Sequence, residues 1–289
     1  MSSEPARLTR ELLARCVFPS TSPVTCALSG GPDSTALVAL AVADGLEVTA
    51  AHVNHGHRPD ADRDAAVAER IAHRLGVGFR CEHAELADGP NFEARARDAR
   101  RALLGPDVLT GHTADDQAET VLLAMLRGSG ATGLSAMRPD DRRPLLALRH
   151  AETIALCASL GLNPIEDASN RDPRFRRNRV RHELLTLANS IAERDTVPLL
   201  VRTADLLRTD DALLERLAGE IDPTDARALA AAPLALSRRA VRRWLTIDGY
   251  PPDAAAVERV LDVAAGSVSA CEVAGVGRVR RSNQRLSIE

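Results

Sequence analysis

The sequence predicts an α/β fold in which helices flank a parallel sheet, followed by a smaller, mainly helical C-terminal domain. In the first half of the chain, short apolar runs alternate with segments of helical period, which is typical of βαβ units and a parallel sheet. After about residue 150 the strand-like runs stop and helical periods dominate. At 289 residues the chain has room for one large and one small domain, which we place at residues 1–190 and 191–289.

In the first domain we predict four strands and four helices in alternation. Each strand candidate is a short apolar run, and each helix candidate is a longer segment with apolar residues at helical spacing. The predicted strands are 24–28, 47–53, 77–83 and 107–110, and the predicted helices are 35–44, 62–75, 91–104 and 113–127.

In the remainder of the chain the predicted elements are almost all helical. A Pro-, Asp- and Ala-rich stretch at 221–232 predicts a hinge between helices. The segment from Cys271 to the end alternates polar and apolar residues, which predicts a short hairpin. The predicted helices are 150–160, 176–187, 198–217, 237–244 and 253–263.

Composition excludes several classes of protein. The chain contains no lysine, which rules out a lysine Schiff base and the lysine-containing Walker A loop. The net charge of −3 excludes a basic surface over the whole protein, although not a local arginine patch. Five scattered cysteines form no CxxC pair, and no apolar run approaches the roughly 20 residues that span a bilayer. The charged N-terminus does not resemble a signal peptide. We therefore expect a cytoplasmic protein with no membrane partner.

The sequence SGGPDS at residues 29–34 joins the first predicted strand to the first predicted helix. Two glycines let successive backbone N–H groups face one point, and the helix N-terminus adds its positive end, so the turn predicts an anion cradle. Asp33 would repel a phosphate there unless it holds a divalent cation. The competing interpretation is a plain strand–turn–helix corner in which a serine caps the helix.

Polar residues also follow the second and fourth predicted strands, at the sheet edge where parallel sheets bind ligands. HVNHGHR occupies residues 52–58, and GHTADDQAET occupies residues 111–120. A local interpretation of the second segment is that Thr113 and Asp116 form an N-capping pattern. Helical spacing nevertheless places four of its polar side chains on one face: His112, Asp115, Asp116 and Glu119.

Two charged helical segments complete the set of candidates. Within the predicted helix 91–104, the spacing puts Glu93, Arg97 and Arg100 on one face. The run RDPRFRRNRVR at residues 171–181 holds six arginines in a net-acidic chain, which favours a contact with RNA phosphates. The alternative is structural: these arginines pair with nearby acids such as Asp167 and Asp172.

Together these motifs resemble a known family. SGGPDS resembles the pyrophosphate loop of the Rossmann-like ATP-pyrophosphatase (PP-loop) superfamily. HVNHGHR, GHTADDQAET with the following RGSGATGLSAM, RPLL, EDASN and RNRVR resemble, in this order, the motifs of tRNA(Ile)-lysidine synthetases. The resemblance covers about residues 24–187 and is weak beyond residue 190.

The resemblance implies an AMP-forming carbon–nitrogen ligase. Such an enzyme uses ATP to adenylate C2 of the wobble cytidine of tRNA(Ile) with anticodon CAU, releases pyrophosphate and AMP, and joins free lysine to the base as lysidine. ATP and Mg²⁺ are the implied cofactors. The implied partners are tRNA(Ile) and L-lysine, with tRNA contacts expected in the C-terminal domain as well.

The resemblance also assigns roles to residues. ATP binding is expected at Ser29, Gly30, Gly31, Pro32, Asp33, Ser34, His52, Asn54, His55, Gly111 and His112. The catalytic candidates are Asp33, Glu93, Arg97, Asp115, Asp116 and Glu119, and the candidate magnesium ligands are Asp33, Asp115 and Asp116. Contacts with tRNA are expected at Arg100, Arg177, Asn178 and Arg181. The sequence does not rank Glu93, Asp116 and Glu119 as the group that takes the proton of the lysine amine.

Two alternatives remain open at this point. One is another tRNA-modifying PP-loop enzyme that installs sulfur, although such thiolases typically need paired cysteines. The other is a nucleotide-binding regulator that does not turn over. An intact SGGPDS together with the intact acids of DDQAET stands against the second alternative.

Overall fold

The structure is a computed structural model that describes residues 4–54, 61–84, 95, 99, 102–165 and 172–289. The chain divides into two compact units, Met1–Ala204 and Asp205–Glu289, and the division at residue 190 stays a prediction. Among the helices described, none combines the length and the apolar character that crossing a bilayer demands.

The first unit contains a parallel sheet and the helices around it, which confirms the predicted fold class. Its strands are β1 (Val24–Ala27), β2 (Val48–Asn54) and β3 (Gly78–His83). Its helices are α1 (Glu4–Leu13), α2 (Pro32–Ala43), α3 (Ala61–Arg74), α4 (Ala114–Leu126), α5 (Ala131–Leu134), α6 (His150–Ser159), α7 (Arg176–Arg179) and α8 (Leu185–Ala192).

The strands lie in the order β1-β2-β3, and both pairings are parallel. The predicted fourth strand is reduced to a single parallel bridge, in which Leu109 pairs with Cys26. Its N–H donates to Thr25 at 2.8 Å, and its carbonyl accepts from Ala27 at 2.9 Å. Leu109 therefore continues the sheet beyond β1 and brings the segment 111–120 to the same edge as the SGGPDS turn.

The core of this unit forms around α2, which is apolar on all sides because it lies between the sheet and α6. Leu37, Val38 and Leu40 of α2 and Leu156 of α6 are 0% exposed. A fully buried aliphatic side chain of this size contributes about 1.5–3 kcal/mol. This burial fixes α2, and with it the turn at residues 29–34.

One predicted helix lies mostly outside the described residues, and another differs from the structure. Most of the predicted helix 91–104 falls outside the described residues; of its positions, 95, 99 and 102–104 are helical. The predicted helix 176–187 is interrupted: α7 runs directly into a π-helical turn at Val180–Leu184, and α8 follows. The π turn changes the angular spacing between successive side chains along this segment.

The second unit packs helices on a small antiparallel sheet, and the helix α9 (Val197–Gly219) crosses the boundary between the units. The predicted hairpin is present with one further strand, in the order β4-β5-β6. The remaining elements are α10 (Ala226–Ala231), α11 (Leu234–Trp244), α12 (Ala254–Ala265), β4 (Ala270–Val273), β5 (Gly277–Ser282) and β6 (Arg285–Ile288).

The prediction of a hinge at 221–232 is wrong, because this stretch contains α10. The Asp225 side chain caps α10 by accepting from the backbone N–H groups of Arg227 at 2.9 Å and Ala228 at 3.1 Å. Leu229 is 2% exposed and belongs to the core of the second unit. One capping acid and one buried face therefore hold as a helix a stretch whose composition predicts a hinge.

Candidate active site

Hydroxyl groups within the turn at residues 29–34 stabilise its conformation. Gly30 has a φ of +91°, a conformation that favours glycine, and Gly31 is the N-cap of α2. The Ser34 hydroxyl donates to the Gly31 carbonyl at 2.9 Å and lies 3.0 Å from the Ser29 hydroxyl. These contacts keep the turn at the N-terminus of a buried twelve-residue helix, which favours anion binding.

The Asp33 carboxylate projects from the first turn of α2 and accepts hydrogen bonds from α6. His150 Nδ1 donates to Oδ1 and Oδ2 at 2.9 and 3.0 Å, and the Thr153 hydroxyl donates to Oδ1 at 2.5 Å. The hydrogen bond to Asp33 is the main reason why the pKa of His150 lies above its ordinary value. The Asp33 side chain remains 24% exposed, so a ligand can reach it.

The segment GHTADDQAET packs directly on this turn through Gly111. A Cβ atom at this position would lie 2.6 Å from the Asp33 carbonyl oxygen and 3.0 Å from the Ser34 nitrogen. Any residue other than glycine would therefore displace backbone atoms of the phosphate turn. The structure thus brings the SGGPDS and GHTADDQAET segments into contact, as expected for parallel strands whose carboxyl ends meet at one edge.

Asp115, in the first turn of α4, is paired with an arginine. Arg149 donates from Nε and Nη2 to the two Asp115 oxygens at 3.1 and 3.0 Å, and the His150 N–H donates at 2.8 Å. Burial on its own would raise the pKa of Asp115, but these hydrogen bonds outweigh it and lower the pKa below the ordinary value. Arg149 also contacts Asp195. Asp115 is therefore ionised and neutralised within the protein.

Asp116 and Glu119 are paired with two of the three arginines that are predicted to contact tRNA. Arg177 Nε lies 2.6 Å and Arg181 Nε 2.5 Å from different oxygens of Glu119. Arg177 Nη2 also donates to Asp116 at 2.9 Å. The Glu119 side chain is 0% exposed, that of Asp116 is 14% exposed, and those of the arginines are 34% and 30% exposed. Two positive and two negative charges thus form one partly buried cluster. The arginines of this cluster come from α7 and from the π turn that follows it.

The local interpretation of Thr113 and Asp116 also holds. The Thr113 N–H donates to Asp116 Oδ2 at 2.8 Å, which closes a capping box at the start of α4. The same carboxylate therefore caps a helix and faces arginine. The structural alternative for the arginine run holds for Asp172, which pairs with Arg174 of that run at 2.7 Å; Asp167 lies outside the described residues.

The remaining predicted site residues divide into two groups. Within the described part, the buried His52 donates from Nδ1 to the Leu28 carbonyl at 2.8 Å, and Asn54 donates to Asp62 at 3.0 Å. His112 Nδ1 lies 2.9 Å from the Thr110 hydroxyl, and Asn178 donates to the Asp172 carbonyl at 2.9 Å. Four predicted residues lie outside the described residues: His55, Glu93, Arg97 and Arg100.

Sequence reasoning missed three residues of this site: Arg149, His150 and Thr153. None of them belongs to a motif that the sequence singles out. The one signal in the sequence is that His150 and Thr153 lie three residues apart, on one face, at the start of the predicted helix 150–160.

Two family descriptions match this chain: a PP-loop domain over residues 3–188 and a TilS substrate binding domain over residues 225–287. A tRNA(Ile)-lysidine synthase from Nocardia farcinica is 45% identical over 80% of this chain and 78% of its own length. Another from Mycobacterium leprae is 43% identical over 77% and 75%. A U34-tRNA thiolase from Methanococcus maripaludis superposes with a TM-score of 0.56 at 18% identity, covering 71% of this chain and 78% of that chain, which shows a shared fold.

Proposed function

We propose, from the premise that this chain belongs to the tRNA(Ile)-lysidine synthase family, that it joins free lysine to C2 of the wobble cytidine of tRNA(Ile) with anticodon CAU. It is an ATP-dependent ligase of the PP-loop type. The observation that carries the proposal is the contact of Gly111 with the backbone of Asp33 and Ser34, which places the phosphate turn beside the acids of α4. Because it uses tRNA and ATP, the reaction is proposed to take place in the cytoplasm.

The reaction needs ATP because the C2 oxygen of cytidine is a poor leaving group. Attack of this oxygen on the α-phosphate of ATP turns it into an AMP ester and releases pyrophosphate, and the lysine amine then displaces AMP. The backbone N–H groups and hydroxyls of residues 29–34, at the N-terminus of α2, stabilise the departing pyrophosphate. His52, Asn54, Gly111 and His112 are proposed to line the rest of the nucleotide site, with His55.

Asp33 fits a magnesium ion that is shared with the nucleotide. Magnesium is usually bound by one or two carboxylates together with substrate phosphates, so a dedicated cage of protein ligands is not required. Within the described residues, no group of three or more His, Cys, Asp or Glu side chains is arranged to hold a metal. Bound there, the ion would neutralise charge on the phosphates. Asp115 and Asp116 are further candidate ligands, although their carboxylates accept hydrogen bonds from Arg149 and Arg177.

The lysine amine must lose a proton before it attacks. Its ordinary pKa near 10.4 leaves only about one molecule in 10³ neutral at pH 7, so a carboxylate that binds the ammonium group and takes its proton is needed. Glu93 lies outside the described residues and remains a candidate. Of the two candidates within them, Glu119 is fully buried between two arginines, whereas Asp116 is partly exposed, so Asp116 is the proposed base among these two.

Replacing Asp116 with asparagine is expected to raise the lysine KM by about tenfold or more, the loss expected for one charge-assisted hydrogen bond. In the same variant the ATP KM should change by less than about threefold. Asparagine keeps an oxygen that can accept from Thr113, so the helix cap is preserved. Steady-state kinetics with each substrate varied in turn measure both constants. Equal effects on the two constants would assign Asp116 to the nucleotide instead.

Arg177 and Arg181 are proposed to contact the tRNA backbone together with Asn178 and Arg100. Arg177 and Arg181 are about one-third exposed, so part of each side chain can reach a phosphate. The C-terminal domain, proposed at residues 191–289, is expected to contribute further tRNA contacts. Its match to a TilS substrate binding domain over residues 225–287 supports this proposal.

The proposed function predicts a specific dependence on substrates. With ATP and magnesium, radiolabelled lysine should enter a transcript of tRNA(Ile) with anticodon CAU and should not enter the methionine tRNA that has the same anticodon. One AMP and one pyrophosphate should form for each lysine incorporated. Turnover of ATP that requires a sulfur donor would instead indicate a thiolase, and ATP binding without pyrophosphate release would indicate a regulator.

A further inference from the structure

One face of α6 contacts the phosphate turn at three successive positions. His150, Thr153 and Cys157 are spaced i, i+3 and i+7, which places them on one side of the helix. The first two donate to the Asp33 carboxylate, and the Cys157 thiol donates to the Pro32 carbonyl at 3.5 Å. On its other side the backbone of Asp33 meets Gly111. Residues 32 and 33 are therefore held between α6 and Gly111.

Thr153 carries a hydroxyl group at a fully buried position of α6. The residue is 0% exposed, and its neighbours along α6 include the buried Leu156 and Cys157. A buried hydroxyl without a partner costs free energy, so its partner indicates its use. Its oxygen lies 2.5 Å from Asp33 Oδ1 and 2.7 Å from the His150 carbonyl. Because a hydroxyl has one proton and a carboxylate is the stronger acceptor, Asp33 receives the hydrogen bond.

We propose that Thr153, assisted by His150, is a positioning residue that fixes the Asp33 carboxylate for the binding of magnesium–ATP. The two donors together contact Oδ1 twice and Oδ2 once, which leaves acceptor capacity on Oδ2 for a cation. Neither residue touches the nucleotide in this assignment; both act through Asp33. The inference rests on the proposed function, because the proposed function puts Asp33 beside the phosphates of ATP.

The test compares two substitutions of Thr153 that differ in hydrogen-bonding ability. Thr153→Val keeps the shape of the side chain and removes the hydroxyl, whereas Thr153→Ser keeps the hydroxyl. Ser159→Ala is the matched control, because the Ser159 hydroxyl on the same helix donates only to the local Leu156 carbonyl at 2.8 Å. ATP dissociation constants are measured calorimetrically on the full chain, once with excess Mg²⁺ and once with EDTA, and melting temperatures are measured in parallel.

Thr153→Val should weaken ATP binding about tenfold in Mg²⁺ and less than about twofold in EDTA, the size expected when one charge-assisted hydrogen bond is removed. Thr153→Ser and Ser159→Ala should bind as the unmodified chain does under both conditions. The proposal is overturned if Thr153→Val binds normally in Mg²⁺, if its effect is the same in EDTA, or if Thr153→Ser does not restore binding.

Two further outcomes are also decisive. If Thr153→Val does not fold, Thr153→Ala lacks the same hydroxyl and replaces it in the comparison; if neither folds while Thr153→Ser does, the hydroxyl is structural and the proposal is wrong. ATP binding by the unmodified chain that does not depend on Mg²⁺ would also overturn it. Failure of lysine incorporation with these binding results intact would instead contradict the proposed function and leave the role of Thr153 standing.

Discussion

Replacing Asp33 with asparagine will abolish the formation of AMP and pyrophosphate while the fold survives. Asparagine has nearly the same shape and keeps one oxygen that can accept from Thr153 and His150, so the contacts between α2 and α6 persist. The negative charge is removed, and with it the group proposed to hold a cation against the phosphates. Removal of one preorganised electrostatic group typically lowers kcat by about 10²–10³.

The measurement is lysine-dependent pyrophosphate release, with the melting temperature followed in parallel. Asp44→Asn is the matched control, because Asp44 is the exposed C-cap at the opposite end of α2 and its replacement makes the same change in net charge. Turnover of Asp33→Asn near the unmodified rate would show that the carboxylate has no part in the nucleotide step. A fall in melting temperature large enough to unfold the variant would show that Asp33 is mainly structural.

The local parts of this site could be predicted from the sequence. The order of strand, glycine-rich turn and helix at residues 24–44 follows from apolar periodicity and from glycines that permit the turn. The capping interpretation of Thr113 and Asp116 holds for the same reason, since a capping box is a contact between residues three apart. Turns and caps, which are contacts between residues a few positions apart, can therefore be predicted from a motif.

Contacts between distant segments could not be predicted in this way. Asp33 and His150 are 117 positions apart, and Glu119 and Arg177 are 58 apart. Periodicity tells which face of a helix is buried, but it does not tell which charged group of another element that face will meet. Sequence reasoning therefore treats Glu119 as a candidate lysine base and Arg177 as a tRNA contact separately, whereas the structure pairs them with each other.

The same limit explains the errors in secondary structure. A run of Pro, Asp and Ala at 221–232 lacks the periodicity of a long helix, yet Asp225 and the buried Leu229 are enough to hold six residues as α10. Within the predicted strand at 107–110, Leu109 alone forms a bridge, so little of this segment has the ladder of hydrogen bonds that defines a strand.

Removing Arg177 and Arg181 together, as Arg177→Ala with Arg181→Ala, will lower the free energy of unfolding by about 3–5 kcal/mol. This is the cost of breaking a buried ion pair by deleting one side of it, since Glu119 would stay buried without its cationic partners. The double substitution is also expected to weaken tRNA binding by about 1–3 kcal/mol. It should reduce the salt dependence as well, by roughly 0.7 in the slope of log K against log salt for each phosphate that is no longer neutralised.

Adding Glu119→Gln to the double variant separates these two effects. The neutral amide removes the fully buried uncompensated charge and leaves only that of the partly exposed Asp116, so most of the stability should return, as measured by urea denaturation. If the arginines contact RNA, tRNA affinity measured at several salt concentrations will stay low and the salt slope will stay flat in the triple variant. If their role is to neutralise Glu119, affinity and slope will return together with stability. ATP affinity serves as the internal control, because it should return with stability whichever role the arginines have. Only an RNA contact would keep tRNA binding weak in a triple variant that is again stably folded.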